Sequence, residues 1–288
     1  MPTNDPALEV EDLAGLDALD VPVPAAPTRL RRVWSATWPQ AAAVGVALAL
    51  WQIVAWTHWK PSYVLPGPGP SLGRLASDIA HGRLLHAAAT TMRRAVVGYG
   101  VAVVVGSVLG LVVSRSRVVR TAIGSLITGL QTMPTIAWFP LAILLFGLTE
   151  TAILFVVVLG AAPAIANGLI SGVDHIHPLW LRAGRVLGAR GLSTYRHIVL
   201  PAALPGFVAG LKQGWAFAWR SLMAGELIVI IAARPALGVN LQLARENSDA
   251  PGLVATMVAI LFIGIVIDAL FFARIETAIR RRWGLSAR

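Results

Sequence analysis

The chain contains no cysteine and only two lysines, Lys60 and Lys212, among its 288 residues. Without cysteine it can form no disulfide, no thiol nucleophile and no thiolate metal site. Neither lysine follows a glycine, so the chain also lacks the GxxxxGK[ST] loop that cradles nucleotide phosphates. It cannot bind ATP through such a loop, and energy from ATP hydrolysis would have to reach it from another protein.

Charge is scarce as well. Asp, Glu, Lys and Arg make up 13% of the chain, whereas a soluble domain carries about 25%. Hydrophobic residues account for 56% and form runs of about 20 residues, which indicates an integral membrane protein. The net charge is +10, but the arginines cluster at the ends of apolar runs rather than on one soluble face. We therefore expect membrane lipid, and not nucleic acid, around this chain.

No catalytic or cofactor-binding pattern stands out. His175 and His177 are two residues apart, which fits no common metal pair on a helix. The segment 168–172 reads GLISG, with isoleucine where a nucleophile elbow needs serine. No carboxylates are paired for glycoside chemistry. We expect no enzyme activity, no metal and no cofactor.

Six apolar segments are each long enough to cross about 30 Å of hydrocarbon as a helix, which predicts an all-α polytopic membrane protein. The segments cover 36–57, 94–114, 121–147, 151–172, 204–232 and 252–273. With the N-terminus inside, 15 basic residues fall in inner segments and 7 in outer ones. The positive-inside rule then predicts that both termini are cytoplasmic.

A polar, basic stretch lies between the fourth and fifth apolar segments. It reads RAGRVLGARGLSTYRHIVLP from Arg182 to Pro201. Its composition predicts one helix, a reversal that Gly188 and Gly191 permit, and a second short helix that begins near Ser193 and ends at Pro201. The stretch is too short for a catalytic domain, so it is interpreted as a docking element for another protein.

The spacing in this stretch resembles the cytoplasmic loop of the inner-membrane permeases of binding-protein-dependent ABC importers. That loop reads EAA, three residues, Gly, nine residues, Ile, any residue, Leu-Pro. Here RAG at 182–184 stands in the place of EAA, and Gly188 and the segment IVLP at 198–201 follow at matching distances. Arg182 replaces the glutamate, and Gly184 replaces an alanine.

Two more segments are similar to the permeases of nitrate, sulfonate and taurine importers. They are LQTMPTIAWFPLAILLFGLTE at 130–150 and the LPGP turn at 65–68. The resemblance implies a type I ABC importer-like fold, with about six transmembrane helices and a cytoplasmic coupling helix-turn-helix. It divides the chain into a disordered acidic tail (1–33), a transmembrane permease domain (34–284, coupling loop 178–203) and a short cytoplasmic end (285–288).

The resemblance also implies a location, partners and a cargo. The chain would lie in a bacterial cytoplasmic (inner) membrane, form a homodimer, and bind two cytoplasmic ATP-binding subunits and an extracytoplasmic solute-binding protein or lipoprotein. Its cargo would be a small anion such as an aliphatic sulfonate, taurine or nitrate. The residues that would couple it to the ATPases are Arg182, Ala183, Gly184, Gly188, Ala189, Ile198, Leu200 and Pro201.

Polar residues inside apolar segments are costly and indicate functional positions. Arg220 either attracts an anionic solute or pairs with a carboxylate to fix helix packing. Glu226 is six residues further on and faces elsewhere, either toward an outer vestibule or toward backbone groups. Gln131, Met133 and Pro134 interrupt the third segment, which predicts a gate lining or a structural kink.

Two other classes of protein remain as alternatives. An ion-driven secondary transporter predicts internal repeats and ionisable pairs at the membrane midplane, and the sequence shows no clear repeat. The second alternative is a membrane enzyme or structural assembly protein, which would need a cluster of polar catalytic groups at one membrane depth that the sequence does not show.

Overall fold

The computed structural model describes residues 29–115, 117–231 and 234–282, and every regular element in these ranges is helical. The chain divides into two compact units, Met1–Thr57 and His58–Arg288. Helix α1 (Arg29–Trp56) is the described part of the first unit. Residues 1–28 of the predicted acidic tail and residues 285–288 of the predicted C-terminal end lie outside the described residues.

The second unit is a succession of helices joined by short connections. The helices are α2 (Pro68–Ala80), α3 (Arg83–Arg115), α4 (Arg117–Thr132), α5 (Phe139–Phe146), α6 (Glu150–Asp174), α7 (Pro178–Val186), α8 (Leu192–Thr194), α9 (Leu200–Ile228), α10 (Leu237–Glu246), α11 (Ala250–Ile267) and α12 (Ala273–Arg282). A 3₁₀ turn (Thr135–Trp138) joins α4 to α5, and π-helical stretches join α8 to α9 (Tyr195–Val199) and α11 to α12 (Asp268–Phe272).

Among the described residues, four helical segments are long and apolar enough to cross a membrane, and a bent pair makes a fifth candidate. They correspond to the first, second, fourth and sixth predicted segments, with the bent pair in place of the third. The four are Thr37–Trp56, Arg83–Arg115, Glu150–Asp174 and Ala250–Ile279.

The third predicted segment is not a straight helix. Its halves, Val118–Thr132 and Thr135–Phe146, meet at an angle of 103°. The break falls at Met133 and Pro134, where Pro134 has the extended backbone angle ψ of 127°. Proline has no N–H to continue the helical hydrogen-bond ladder, so the predicted interruption becomes a sharp reversal of direction.

The fifth predicted segment is the helix α9, which runs over 29 residues. It is long enough to cross a membrane, but it holds Lys212, Arg220 and Glu226 and does not pass as an apolar span.

Helix α6 is the centre of the second unit. Helices α3, α4, α5 and α9 all pack on it. Its residues Ile153, Val156, Val157 and Ile165 are fully buried, and Phe139 of α5 joins them in the main apolar core.

Helices α6 and α9 touch through their backbones. A Cβ atom at Gly210 of α9 would lie 2.6 Å from the Cα atom of Gly168, and one at Gly206 would lie 2.6 Å from the Cα atom of Gly172. Only glycine permits this approach, which brings main-chain atoms of the two helices into van der Waals contact. Gly106 of α3 meets α6 in the same way, since a Cβ atom there would lie 2.6 Å from the carbonyl oxygen of Ala162.

We expect Gly210→Ala to destabilise the protein by about 1–3 kcal/mol, because its methyl group would press the α6 and α9 backbones apart. Gly100→Ala is the matched control, since a Cβ atom there has nothing within 4 Å and alanine favours the helix by about 1 kcal/mol. The midpoint of thermal unfolding in detergent checks this. Equal midpoints for the two variants would contradict the close approach.

Candidate functional site

The loop between α6 and α9 forms the predicted helix-turn-helix. Helix α7 begins after His177, whose ring nitrogen accepts a hydrogen bond from the backbone N–H of Leu179 at 3.2 Å. Past α7 the chain reverses at Gly188 and Gly191, whose φ angles of +87° and +54° suit glycine. The reversal is closed by a hydrogen bond from the N–H of Ala189 to the carbonyl oxygen of Gly184, at 2.9 Å.

The two short helices of this loop are held together at Gly184. It is buried, and any Cβ atom there would overlap the side chain of Ile198. An alanine at this position, as in the family pattern, would require the terminal methyl group of Ile198 to move aside.

The outer surface of the loop combines apolar and basic side chains. Val186, Leu187 and Leu192 are 87%, 86% and 81% exposed. Four arginines are exposed beside them, as are the predicted coupling residues Ala183 and Leu200. The arginines are Arg182, Arg185, Arg190 and Arg196.

The sequence predicted that the second helix of the loop ends at Pro201, and this prediction is wrong. Helix α8, the π-helical stretch Tyr195–Val199 and α9 form one unbroken helix from Leu192 to Ile228. A proline near the start of α9 is tolerated because the wider π turn ahead of it relieves the requirement for its missing N–H. This helix is roughly 55 Å long at a rise of 1.5 Å per residue, and it connects the loop directly to the interior of the bundle.

At its far end, α9 is held by a buried ion pair. Nη1 of Arg94 on α3 donates to Oε1 of Glu226 at 3.0 Å, and both side chains are almost completely buried. The other carboxylate oxygen of Glu226 accepts from the hydroxyl of Thr91 at 2.9 Å and from the backbone N–H of Gly238 at 3.0 Å. Glu226 thus joins α9 to α3 and to the first turn of α10.

The network continues to Glu150, the first residue of α6. Its Oε1 accepts from Nε and Nη2 of Arg94, each at 3.1 Å. Arg93 at 3.1 Å and Arg234 at 2.6 Å reach the same oxygen from more exposed positions. Four segments distant in the sequence are thereby tied together at one end of the bundle.

A second group of contacts joins helices at the opposite end of the bundle. Nη1 of Arg120 on α4 lies 2.7 Å from Oδ1 of Asp174 at the end of α6. The guanidinium of Arg115, at the end of α3, lies 5.3 Å from the ring centre of Tyr195. This is the end that bears the helix-turn-helix.

A large, mainly apolar groove lies along α9, with α11 and α12 forming its other wall. Its volume is about 1310 Å³. Arg220 lines it, donates to the carbonyl oxygen of Ala216 at 3.0 Å and lies over the ring of Phe217. Lys212 lines it as well, 3.4 Å from Asp268. No carboxylate of the described residues lies within 4.0 Å of the guanidinium of Arg220.

The other predicted gate residues lie around the break after α4. Met133 and Pro134 form the break and are exposed. Nε2 of Gln131 is buried without a hydrogen-bond partner among the described residues. Thr135, just past the break, faces Gly160 of α6, where a Cβ atom would lie 2.9 Å from its methyl group. Glu226 does not line the groove beside α9.

Residues 102–281 match the family model described as binding-protein-dependent transport system inner membrane component. The chain belongs to this family. Its members are permease subunits of ABC transport systems, which confirms the expectation of an inner-membrane transport subunit rather than an enzyme.

The relatives agree with this membership. A probable ABC transporter permease of Brucella melitensis is 29% identical over 73% of this chain and 84% of its own length. The taurine transport system permease TauC of Escherichia coli is 27% identical over 78% of this chain and 82% of its own length. The nitrate import permease NrtB of a Synechocystis strain is 24% identical over 83% of this chain and 88% of its own length. The predicted resemblance to the nitrate, sulfonate and taurine permeases is confirmed.

The solved structure of the inward-facing MetNI methionine ABC transporter has the same fold. One of its chains matches with a TM-score of 0.58 and 20% identity, over 68% of this chain and 96% of that chain. The predicted helical permease fold of the type I importer kind is confirmed.

The ion network around Arg94 was not predicted. Arg93 and Arg94 stand side by side at the outer edge of the second predicted segment, and both are among the 7 basic residues counted as outer. The sequence signal was weak, because two adjacent arginines on a helix point in different directions and only the fold decides which is buried. Here the Arg94 side chain is 2% exposed and that of Arg93 is 60% exposed.

Arg94→Met should lower stability by about 3–5 kcal/mol, because it leaves the buried carboxylate of Glu226 without a cation. Arg93→Met removes an exposed contact to Glu150 and should change stability by less than about 1 kcal/mol. Thermal unfolding of both purified variants in the same detergent provides the measurement. Similar shifts for the two neighbours would show that burial does not set the strength of this network.

Proposed function

We propose that this permease carries a small anionic solute across the membrane and is driven by two separate ATP-binding subunits that bind the loop of α7 and α8. The observation that carries the proposal is the unbroken helix from Leu192 to Ile228. One end of this helix lies in the exposed loop, and its far half supplies Arg220 to the groove. A force on the loop therefore acts on the groove without passing through a flexible connection.

The contacts of α9 determine how such a force would be transmitted. The backbones of α9 and α6 are in contact along Gly206 and Gly210, so the two helices move together. At the opposite end, Glu226 is fixed by Arg94 and Gly238. Displacement of the loop would consequently tilt α9 about its anchored end, which is the rigid-body motion that alternating access needs.

The chemistry of the groove supports an anionic solute. Arg220 is a permanent cation in an apolar wall, and its guanidinium offers paired donors that match the oxygens of a sulfonate or nitrate. TauC and NrtB are named for taurine and nitrate, which agrees with that chemistry. We infer that the solute is an aliphatic sulfonate, taurine, nitrate or a similar anion.

The groove is open along α9, which favours a homodimer as the working unit. A two-fold pair of chains would face one groove toward the other and enclose a pathway lined by both copies of Arg220.

The two tied ends support an orientation in the membrane. The end with Glu150, Arg94 and Arg234 gathers segments that the positive-inside rule places outside, and the end with Asp174 and Arg120 gathers inner ones. We infer that the first end faces the solute-binding protein or lipoprotein and that the second faces the cytoplasm, together with both termini.

The coupling proposal predicts the effect of charge at the loop tip. The double variant Val186→Asp, Leu187→Asp should fold normally, because both side chains are exposed, yet lose at least about tenfold in affinity for the ATP-binding subunit through the loss of apolar contact. Co-purification and ATP-dependent uptake in proteoliposomes are the readouts. Tyr63→Asp, at a position in the predicted outer loop that is 71% exposed, is the control. Full uptake by the double variant would end the proposal.

The pathway proposal predicts a graded response at Arg220. Arg220→Gln should raise the solute concentration for half-maximal uptake by about tenfold or more, since a hydrogen bond to a charged group contributes about 1.5–3 kcal/mol. Arg220→Lys keeps the charge, and its solute concentration for half-maximal uptake should lie between those of Arg220→Gln and the parent protein. Uptake of taurine, an alkanesulfonate and nitrate is measured alongside basal ATPase activity, which both variants should retain. Unchanged uptake of all three anions by Arg220→Gln would remove this residue from the pathway.

A further inference from the structure

The surface of the coupling loop has an unusual charge. Between residues 175 and 203 there are four arginines and no aspartate or glutamate. All four arginines are exposed, and no carboxylate of the described residues lies within 4.0 Å of any of them. The nearest acidic residue in the sequence, Asp174, is already paired with Arg120 at 2.7 Å.

The helical spacing places basic and apolar groups on the same side of α7. Leu179, Arg182, Arg185 and Val186 share one side by the 3.6-residue period, while Gly184 faces Ile198 on the other. The exposed arginines therefore lie directly beside exposed apolar side chains, which suits a protein surface with an apolar floor and an acidic wall.

We propose that the ATP-binding subunit receives this loop in an acidic cleft, and that attraction between its carboxylates and the loop arginines is a main determinant of assembly. This inference rests on the proposed function, because it assumes that an ATPase grips the loop. Val186 and Leu187 would fill the floor of the cleft, and Arg182, Arg185 and Arg190 would meet acidic groups on its walls. At Arg182 the family pattern has a glutamate, so the cleft for this chain would have the opposite charge at that contact.

The test measures binding of the full-length chain, in a neutral detergent, to the ATP-binding subunit that co-purifies with it. Exposed charge pairs are screened by salt, so raising KCl from about 50 mM to about 500 mM should weaken binding at least about tenfold. Arg182→Glu should weaken binding by about tenfold at low salt and make the remaining affinity less sensitive to salt. Arg245→Glu, an exposed arginine on the predicted outer side, changes the net charge equally and should have no effect.

The outcomes separate this inference from the proposed function. If the chain binds no ATPase at any salt concentration, the proposed coupling itself fails. If it binds equally well in low and high salt, or if Arg182→Glu binds as well as or better than the parent chain, the acidic cleft is wrong and the coupling stands. The salt titration of the parent chain needs no variant and remains decisive if Arg182→Glu fails to fold.

A second experiment tests anionic lipid, which is the other partner that a basic loop could bind. The same measurements are made in nanodiscs of neutral lipid and in nanodiscs that contain phosphatidylglycerol. If the effects of salt and of Arg182→Glu appear only with the anionic lipid, the arginines bind headgroups and the inference is overturned. Equal effects in neutral detergent and in both nanodiscs would support the acidic cleft.

Discussion

The contact between the backbones of α6 and α9 is the constraint on which the rest of the permease depends. In a membrane, apolar side chains gain little by leaving lipid for another helix, so close packing of small residues must hold helices together. Gly168 and Gly172 on α6 meet Gly210 and Gly206 on α9 without intervening side chains. The core helix and the groove-lining helix therefore act as one rigid pair.

The buried network at the end of α9 gives this pair a fixed point. A single carboxylate, Glu226, accepts from a hydroxyl and a guanidinium of α3 and from a backbone N–H of α10. Removing any partner would leave a charge or a donor unsatisfied in a medium of low polarity, which is far more costly than loss of a surface ion pair. The opposite end of the same helix is an exposed loop, so the helix is fixed at one end and accessible at the other.

Local sequence pattern decides some features of this fold and leaves others to distant contacts. The reversal at Gly188 and Gly191 and the interruption at Pro134 were predictable, because both follow from backbone preferences of single residue types. The glycine contacts were readable in principle, since Gly206 and Gly210 lie four residues apart, but their partners on α6 depend on how the chain returns. The burial of Arg94 and the continuation of the helix through Pro201 could not be read locally, because neighbours distant in the sequence and a π turn decide them.

The unbroken helix also makes the number of residues between the loop and the groove important, and not only their identity. The loop, the glycine contacts and Arg220 all lie along one helix, and each residue turns the direction of the side chains by about 100°. One residue inserted or deleted between Leu192 and Leu200 would rotate everything beyond it, turn the glycines away from α6 and point the guanidinium of Arg220 in another direction. The segment between Leu192 and Leu200 is therefore a spacer of fixed length and fixed rotation. The number of its residues is as important as their chemistry.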